Sequence, residues 1–318
     1  MEKKYTDALL SVIKTSNISD MNPREVSIRP VSYDADNSPV STLEVSDYIS
    51  FNGTGAISNA WVAGNILIFT ALDGYLERKH RLAEGASFRN HYQNLPETTD
   101  LERIQKNTYR IMKVVRNAIQ HNMSSISLDA GGYSIFYNHN GTDFKLQISK
   151  DGMDFLYTVM LSLIQEAIPG MGKRYSTEGH YQGMLQYYYN EAVNKMLLLQ
   201  DDIQPTGLIP LSGSNPDLKS VVRYRIKNPV QREEDDKTVT FKCHNDGSEK
   251  YSSDYVYGDY LLPEELGRFG EGDLDEADKK FLENFQYSEE AKKNQERIMR
   301  RTITFDKSLL NEKWKINE

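Results

Sequence analysis

From residue 58 to 84 apolar side chains recur every three or four positions, with Trp61, Asn65, Ile68, Leu72 and Tyr75 in register and Leu76 and Leu82 extending the face. That spacing predicts an amphipathic helix capped by Ser58 or Asn59. Gly85, Ser87 and Asn90 interrupt the pattern, and Thr98-Thr99-Asp100 then supplies a fresh capping signal. A second long helix follows, in which Leu101, Ile104, Thr108, Ile111, Val115 and Ile119 trace one stripe that ends near His121 and Asn122.

The period then changes. Tyr133 to Tyr137 and Thr142 to Ile148 flank Asn138-His139-Asn140-Gly141, and Asn-Gly predicts a β-hairpin because both turn residues tolerate positive φ. Asp151 is placed to cap a third helix, Met153 to Ile168, apolar nearly all round and stopped by Pro169-Gly170. A fourth helix is expected from about Thr177 to Leu199. Beyond it Pro205, Gly207, Pro210 and Gly213 mark a connection. Ser220 to Lys227 and Thr238 to Cys243 read as strands joined by a solvated acidic turn at Arg232 to Lys237. A tyrosine-rich loop, 251 to 260, leads to one charged helix, Leu274 to Arg301. Residues 1–50 read as an appendage with a short helix and room for one strand between Glu25 and Tyr33.

These elements predict a mainly α fold: a helical domain over residues 51–204 with an inserted β-hairpin, and a smaller mixed α/β extension over 205–318. At 318 residues the chain suits one large domain or two unequal ones, and 26% charged against 38% hydrophobic residues is an ordinary globular balance. A net charge of -8 argues against a generally basic coat for long nucleic acid, so any RNA contact must be local. One cysteine, Cys243, can form neither an internal disulfide nor a cysteine-rich zinc site and suits a reducing compartment. The start lacks the apolar stretch of a signal peptide, and Ala60 to Leu72 is too short to span a bilayer, so no membrane partner and a cytoplasmic location are expected.

The chemistry concentrates at the end of the second long helix, in Val114-Val115-Arg116-Asn117-Ala118-Ile119-Gln120-His121. An arginine followed by a polar residue, with a histidine five places after the arginine, late in a long helix, resembles the motif of the HEPN family. The resemblance runs over roughly residues 55–200 and does not reach the C-terminal third. It implies a HEPN-like helical bundle and a metal-independent endoribonuclease with Arg116, Asn117 and His121 as the catalytic residues. It further implies RNA, commonly tRNA, as substrate, and a homodimer in which two copies of the motif meet. A role in bacterial anti-phage defence or a toxin system follows by the same resemblance, with the C-terminal extension as a regulatory or partner-binding module. A looser match, Arg174 to His180, lies in a glycine-bearing segment without the polar follower.

The residue types suit that reaction. Cleaving RNA without a metal uses the ribose 2′-hydroxyl as nucleophile and needs proton transfer near neutral pH and a cation for charge developing on phosphorus. Histidine titrates in that range, and arginine offers a planar fork to phosphate oxygens. On an ideal helix Asn117 and His121 share a face, so Asn117 can orient the imidazole, while Arg116 lies roughly 140° from His121 and must reach around. Two blander readings compete. Arg116 and His121 can simply complement the helix dipole, or a HEPN-like dimer can bind RNA or protein without cutting.

No cofactor or metal site is expected. His80 reads as a solvated helix-end residue and His91 as a loop residue, neither with carboxylates at ligand spacing. Gly131-Gly132 precedes a strand and reads as a turn. The tyrosines at 181, 187, 188 and 189, and at 251, 255, 257 and 260, read as packing residues before base-stacking ones.

Overall fold

The computed structural model describes residues 29–31, 60–129, 132–166, 178–212, 223–243 and 252–316. The helix expected near the N-terminus, the Ser58 or Asn59 cap and the Pro169-Gly170 stop lie outside them. So do Gly131 and the looser Arg174 motif. Among the described residues, seven α-helices accompany twelve strands arranged in three four-stranded sheets. The fold is therefore mixed α/β, which corrects the mainly α bundle with a single inserted hairpin. The chain divides into two compact units.

In the first unit, helix α1 (Ala60–His80) buries Ile68, Leu72, Tyr75 and Leu76 of the expected stripe, with Phe69 beside them, while Leu82 lies beyond its end. Its buried Asn65 pairs amide to phenol with Tyr157 at 2.9 Å, satisfying both groups away from water. A short helix not anticipated from the sequence, α2 (Phe88–Asn94), follows, with Ser87 accepting from the Asn90 amide as its cap. Helix α3 (Asp100–His121) begins on a complete capping box between Thr99 and Glu102. Helix α4 (Lys150–Glu166) is buried almost all round. Ser149, not the expected Asp151, caps it, its hydroxyl accepting from the Gly152 amide. Helix α5 spans Glu178–Asn194.

The hairpin forms as read, β3 (Gly132–His139) against β4 (Thr142–Ile148), turning on Asn140 at φ 51° and Gly141 at φ 80°. It gains a strand on each edge: β2 (Ile126–Asp129) pairs with β3 and β5 (Met196–Gln200) with β4, all antiparallel. The last turns of the expected fourth helix are thus a strand. The run Met196-Leu197-Leu198-Leu199 is apolar without period, and the unpaired edge of β4 decides its conformation.

One face of α3 is polar yet buried, because the segment after β5 straps it. Along that face Asp100 accepts from Ser212, Asn107 bonds to the Ile209 backbone, Arg110 pairs with Asp201, and Lys113 pairs with Asp202 at 2.6 Å. Residues 212 to 201 therefore run antiparallel to residues 100 to 113. Nothing in a helical periodicity reveals that a loop will cover Asn107, Arg110 and Lys113.

In the second unit β1 (Arg29–Val31) pairs in parallel with β6 (Arg223–Ile226), and β9 (Ser252–Tyr257) and β10 (Tyr260–Pro263) complete that sheet. The other sheet is antiparallel, in the order β11 (Arg268–Glu271), β12 (Arg301–Asp306), β8 (Thr238–Lys242), β7 (Gln231–Glu234). Strand β7 replaces much of the expected acidic turn, and β9 replaces the tyrosine-rich loop. Ile226, Tyr255 and Leu262 from one sheet meet Val239, Phe241, Ile303 and Phe305 from the other in one core. The single C-terminal helix is instead two, α6 (Glu276–Glu283) and α7 (Glu289–Met299), each with its own cap at Asp275 and Ser288, before the chain becomes β12.

Candidate functional site

Three helices of the first unit bring a set of polar residues together. Asp73 and Glu77 sit four apart on α1 and share a face; Phe88 and His91 sit three apart on α2; Tyr109 and Arg116 sit seven apart on α3. Asp73 is the hub. Its Oδ1 accepts the Tyr109 hydroxyl at 2.6 Å and faces His91 Nδ1 at 2.9 Å. On the other side of the imidazole, Nε2 faces the Ala83 carbonyl at 2.9 Å and Glu77 Oε1 at 3.4 Å.

His91, expected in a solvated loop without carboxylate partners, is only 1% exposed and touches two carboxylates. Those partners lie fourteen and eighteen positions away, beyond any local spacing rule. The one available signal was Asp73 and Glu77 at helical spacing on an otherwise apolar face. Burial opposes a charge on this ring. The hydrogen bonds to Ala83 and Asp73, with the charges of Asp73 and Glu77, outweigh it and raise its pKa above the ordinary 6.5.

Asp73, Glu77 and His91 present ligand atoms within 4.8 Å of one another, close enough to ask whether they suit a metal. The hydrogen-bond directions argue otherwise. A carbonyl oxygen only accepts, so Nε2 must carry a proton. Asp73 Oδ1 already accepts a phenol, so Nδ1 is best served by donating as well. A doubly protonated imidazolium has no lone pair left for a cation.

Arg116 lies half-buried beside this network. Its guanidinium stands 4.5 Å from the centre of the Phe88 ring, and its Nη1 donates to Asn117 Oδ1 at 3.0 Å. Phe88 is held in turn by an edge contact with Phe69 at 5.1 Å. Burial lowers the pKa of Arg116, with Asp73 and Tyr109 partly opposing the shift. Among the described residues no carboxylate comes within ion-pair distance of Arg116. Asp73, whose charge acts on Arg116, is already engaged by His91 and Tyr109. The Tyr109 phenol is pushed far up, by burial first and then by Asp73, so it stays a neutral donor.

The three residues singled out from the sequence therefore divide. Arg116 and Asn117 are hydrogen-bonded to each other, and no hydrogen bond joins Asn117 to His121. His121 lies exposed at the C-terminal end of α3, one helical turn beyond Asn117. No family model, curated protein or solved structure matches the chain. Among the described residues no helix is long and apolar enough to cross a membrane.

The other sequence candidates resolve as structure. His80 Nε2 pairs with Gln105 Oε1 at 2.9 Å. Gly132 opens β3 at φ 130°, where a Cβ would lie 2.3 Å from the Ile148 carbonyl oxygen, so it is a packing glycine. Tyr187 and Tyr188 pack against Phe155, Tyr189 accepts from Asn107, and Tyr255 belongs to the core of the second unit.

Proposed function

We propose that the first unit binds and cleaves RNA without a metal, through Arg116, Asn117 and His121. The observation that carries this reading is the state of Arg116. A half-buried guanidinium, placed over the Phe88 ring and bonded to Asn117 and lacking a carboxylate of its own, is a prepared seat for a phosphate oxygen. Asn117 then serves the guanidinium. His121, exposed on the same helix, is available to exchange a proton with the ribose.

In the reaction the 2′-hydroxyl loses its proton to an imidazole, and the 2′-oxygen bonds to phosphorus. The bond from phosphorus to the 5′-oxygen breaks, and that oxygen takes a proton. The products are a 2′,3′-cyclic phosphate and a free 5′-hydroxyl. Arg116 offsets the charge that accumulates on the phosphoryl oxygens. Two protonation roles ask for two imidazoles, so the reading includes a homodimer that supplies a second copy of His121. The motif's resemblance to HEPN ribonucleases supports both the dimer and a role in bacterial defence or a toxin system. A buried, unpaired Cys243 is consistent with the reducing cytoplasm as the place of action.

The test is cleavage of single-stranded RNA by the purified protein in the presence of EDTA, with the product ends identified. Wild type should leave cyclic phosphate ends, and His121→Ala and Arg116→Ala should each lose at least about a hundredfold in rate. Cleavage that stops with EDTA, or a His121→Ala variant as fast as wild type, would sink the proposal. A second reading, a dimer that binds RNA or protein without cutting, draws on the absence of any hydrogen bond from His121 to Arg116 or Asn117. Tight RNA binding by wild type and His121→Ala alike, with no cleavage by either, would favour it.

A further inference from the structure

One helical turn before Arg116, Lys113 projects from the same side of α3, about 4.5 Å back along the axis. Its side chain is only 3% exposed, and the ammonium group lies 2.6 Å from Asp202 Oδ1. Arg89, the residue after the Phe88 on which Arg116 stacks, approaches the other oxygen of the same carboxylate at 3.6 Å and is 58% exposed. The Tyr137 hydroxyl is buried without a hydrogen-bond partner. Burial first, and then the charges of Asp202 and Asp201, hold its phenol above the ordinary range. Ammonium and guanidinium thus converge on a single carboxylate, one at each of its oxygens.

A carboxylate is planar and has two oxygens, whereas a phosphodiester presents its oxygens in a tetrahedral spread and can meet donors from three directions. Asp202 also sits in the strap, where its backbone is pinned by the buried pairing of Asp201 with Arg110 and by the Ile209 and Ser212 contacts. Its side chain is 22% exposed, and none of those anchoring contacts uses it.

We propose that Lys113 and Arg89 form a second phosphate subsite beside Arg116 for the backbone of an RNA strand, and that Asp202 occupies it as an internal competitor when no RNA is bound. The inference rests on the reading of Arg116 as a phosphate ligand and extends it by one backbone position. Arg89 and Asp202 together then set how tightly RNA is held: the exposed cation attracts the strand, and the carboxylate must be displaced by it.

The experiment measures binding of a fluorescent 2′-O-methyl oligouridylate, which lacks the nucleophile and so cannot be cut. Binding is followed over a range of salt concentrations for wild type, Arg89→Ala, Asp202→Asn and Arg116→Ala, with thermal melts confirming the fold of each. Arg89→Ala should weaken binding about two- to fivefold at low salt. It should also flatten the plot of log affinity against log salt by about 0.7, the value of one phosphate contact on a single strand. Asp202→Asn should tighten binding. If Arg116→Ala weakens binding while Arg89→Ala keeps the wild-type slope and Asp202→Asn the wild-type affinity, the subsite is wrong and the Arg116 reading stands. If Arg116→Ala binds as wild type while Arg89→Ala changes the slope, the subsite stands and the Arg116 reading fails. No binding by wild type overturns both. Should Asp202→Asn fail to fold, the slope of Arg89→Ala decides alone.

Discussion

Arg110 holds the strap to α3, and its removal should cost more than any other single change to a charged group in the first unit. Its side chain is 2% exposed and that of its partner Asp201 is 0% exposed. The guanidinium meets both carboxylate oxygens, at 3.0 and 2.7 Å, and also donates to the carbonyls of Ile203, Pro205 and Gly207. Arg110→Met keeps most of the apolar stem but strands Asp201 with only the Ile203 amide as donor. Breaking a buried pair in this way costs about 3 to 5 kcal/mol, because the surviving charge stays desolvated. That is a large share of the roughly 5 to 15 kcal/mol that holds a typical protein folded. Urea denaturation followed by circular dichroism should show the loss. Hydrogen exchange should show the Ile203 and Ile209 amides, which donate to Asp201 and Asn107, losing protection first. Adding Asp201→Asn should recover part of the stability by removing the orphaned charge. A loss below about 1 kcal/mol, the range of a solvated surface pair, with both amides still protected, would refute the clamp.

Two further predictions concern pH. His91 has a folded-state pKa above 6.5, so its charge stabilises the native protein fully below that value, and the benefit fades as pH rises through the raised pKa. The melting temperature of His91→Gln should therefore fall further below wild type at pH 6 than at pH 9; an equal gap would mean the ring is neutral. In the second unit, burial and then the neighbouring Glu265 push the Glu264 carboxyl up to about 7. Ionising it between its ordinary 4.5 and about 7 works against folding, so Glu264→Gln should be more stable than wild type above pH 7 and about equal near pH 4. A variant less stable at pH 8 would show that the charged carboxylate is needed.

How much of this was legible beforehand varies with the range of the interaction. Helices α1 and α3, the Thr99 capping box and the Asn140-Gly141 turn are local: the stabilising partners lie within four residues, and the pattern names them. Arg116 and Asn117 were also legible as candidates, because they are adjacent on one helix end. The strand β5, the short helix α2 and the true setting of His91 were not. Each depends on a surface contributed from elsewhere in the chain: the free edge of β4, the aromatic side of Phe69, and the carboxylates of Asp73 and Glu77.

The fold class turned on the same distinction. An apolar run such as Met196 to Leu199 has no preferred period, so edge hydrogen bonding with β4 made it a strand and helped turn an expected bundle into a mixed fold. By itself the sequence determined where α3 begins, where one hairpin turns, and which arginine and histidine stand near the end of α3. Tertiary structure alone decided that Lys113 and Arg110 would be covered by a strap, that Asp73 would be consumed by His91 and Tyr109, and that Arg116 would be left half-buried without a counterion. Burial and unpaired charge depend on what the rest of the chain brings alongside, and no spacing of residues within one helix encodes that.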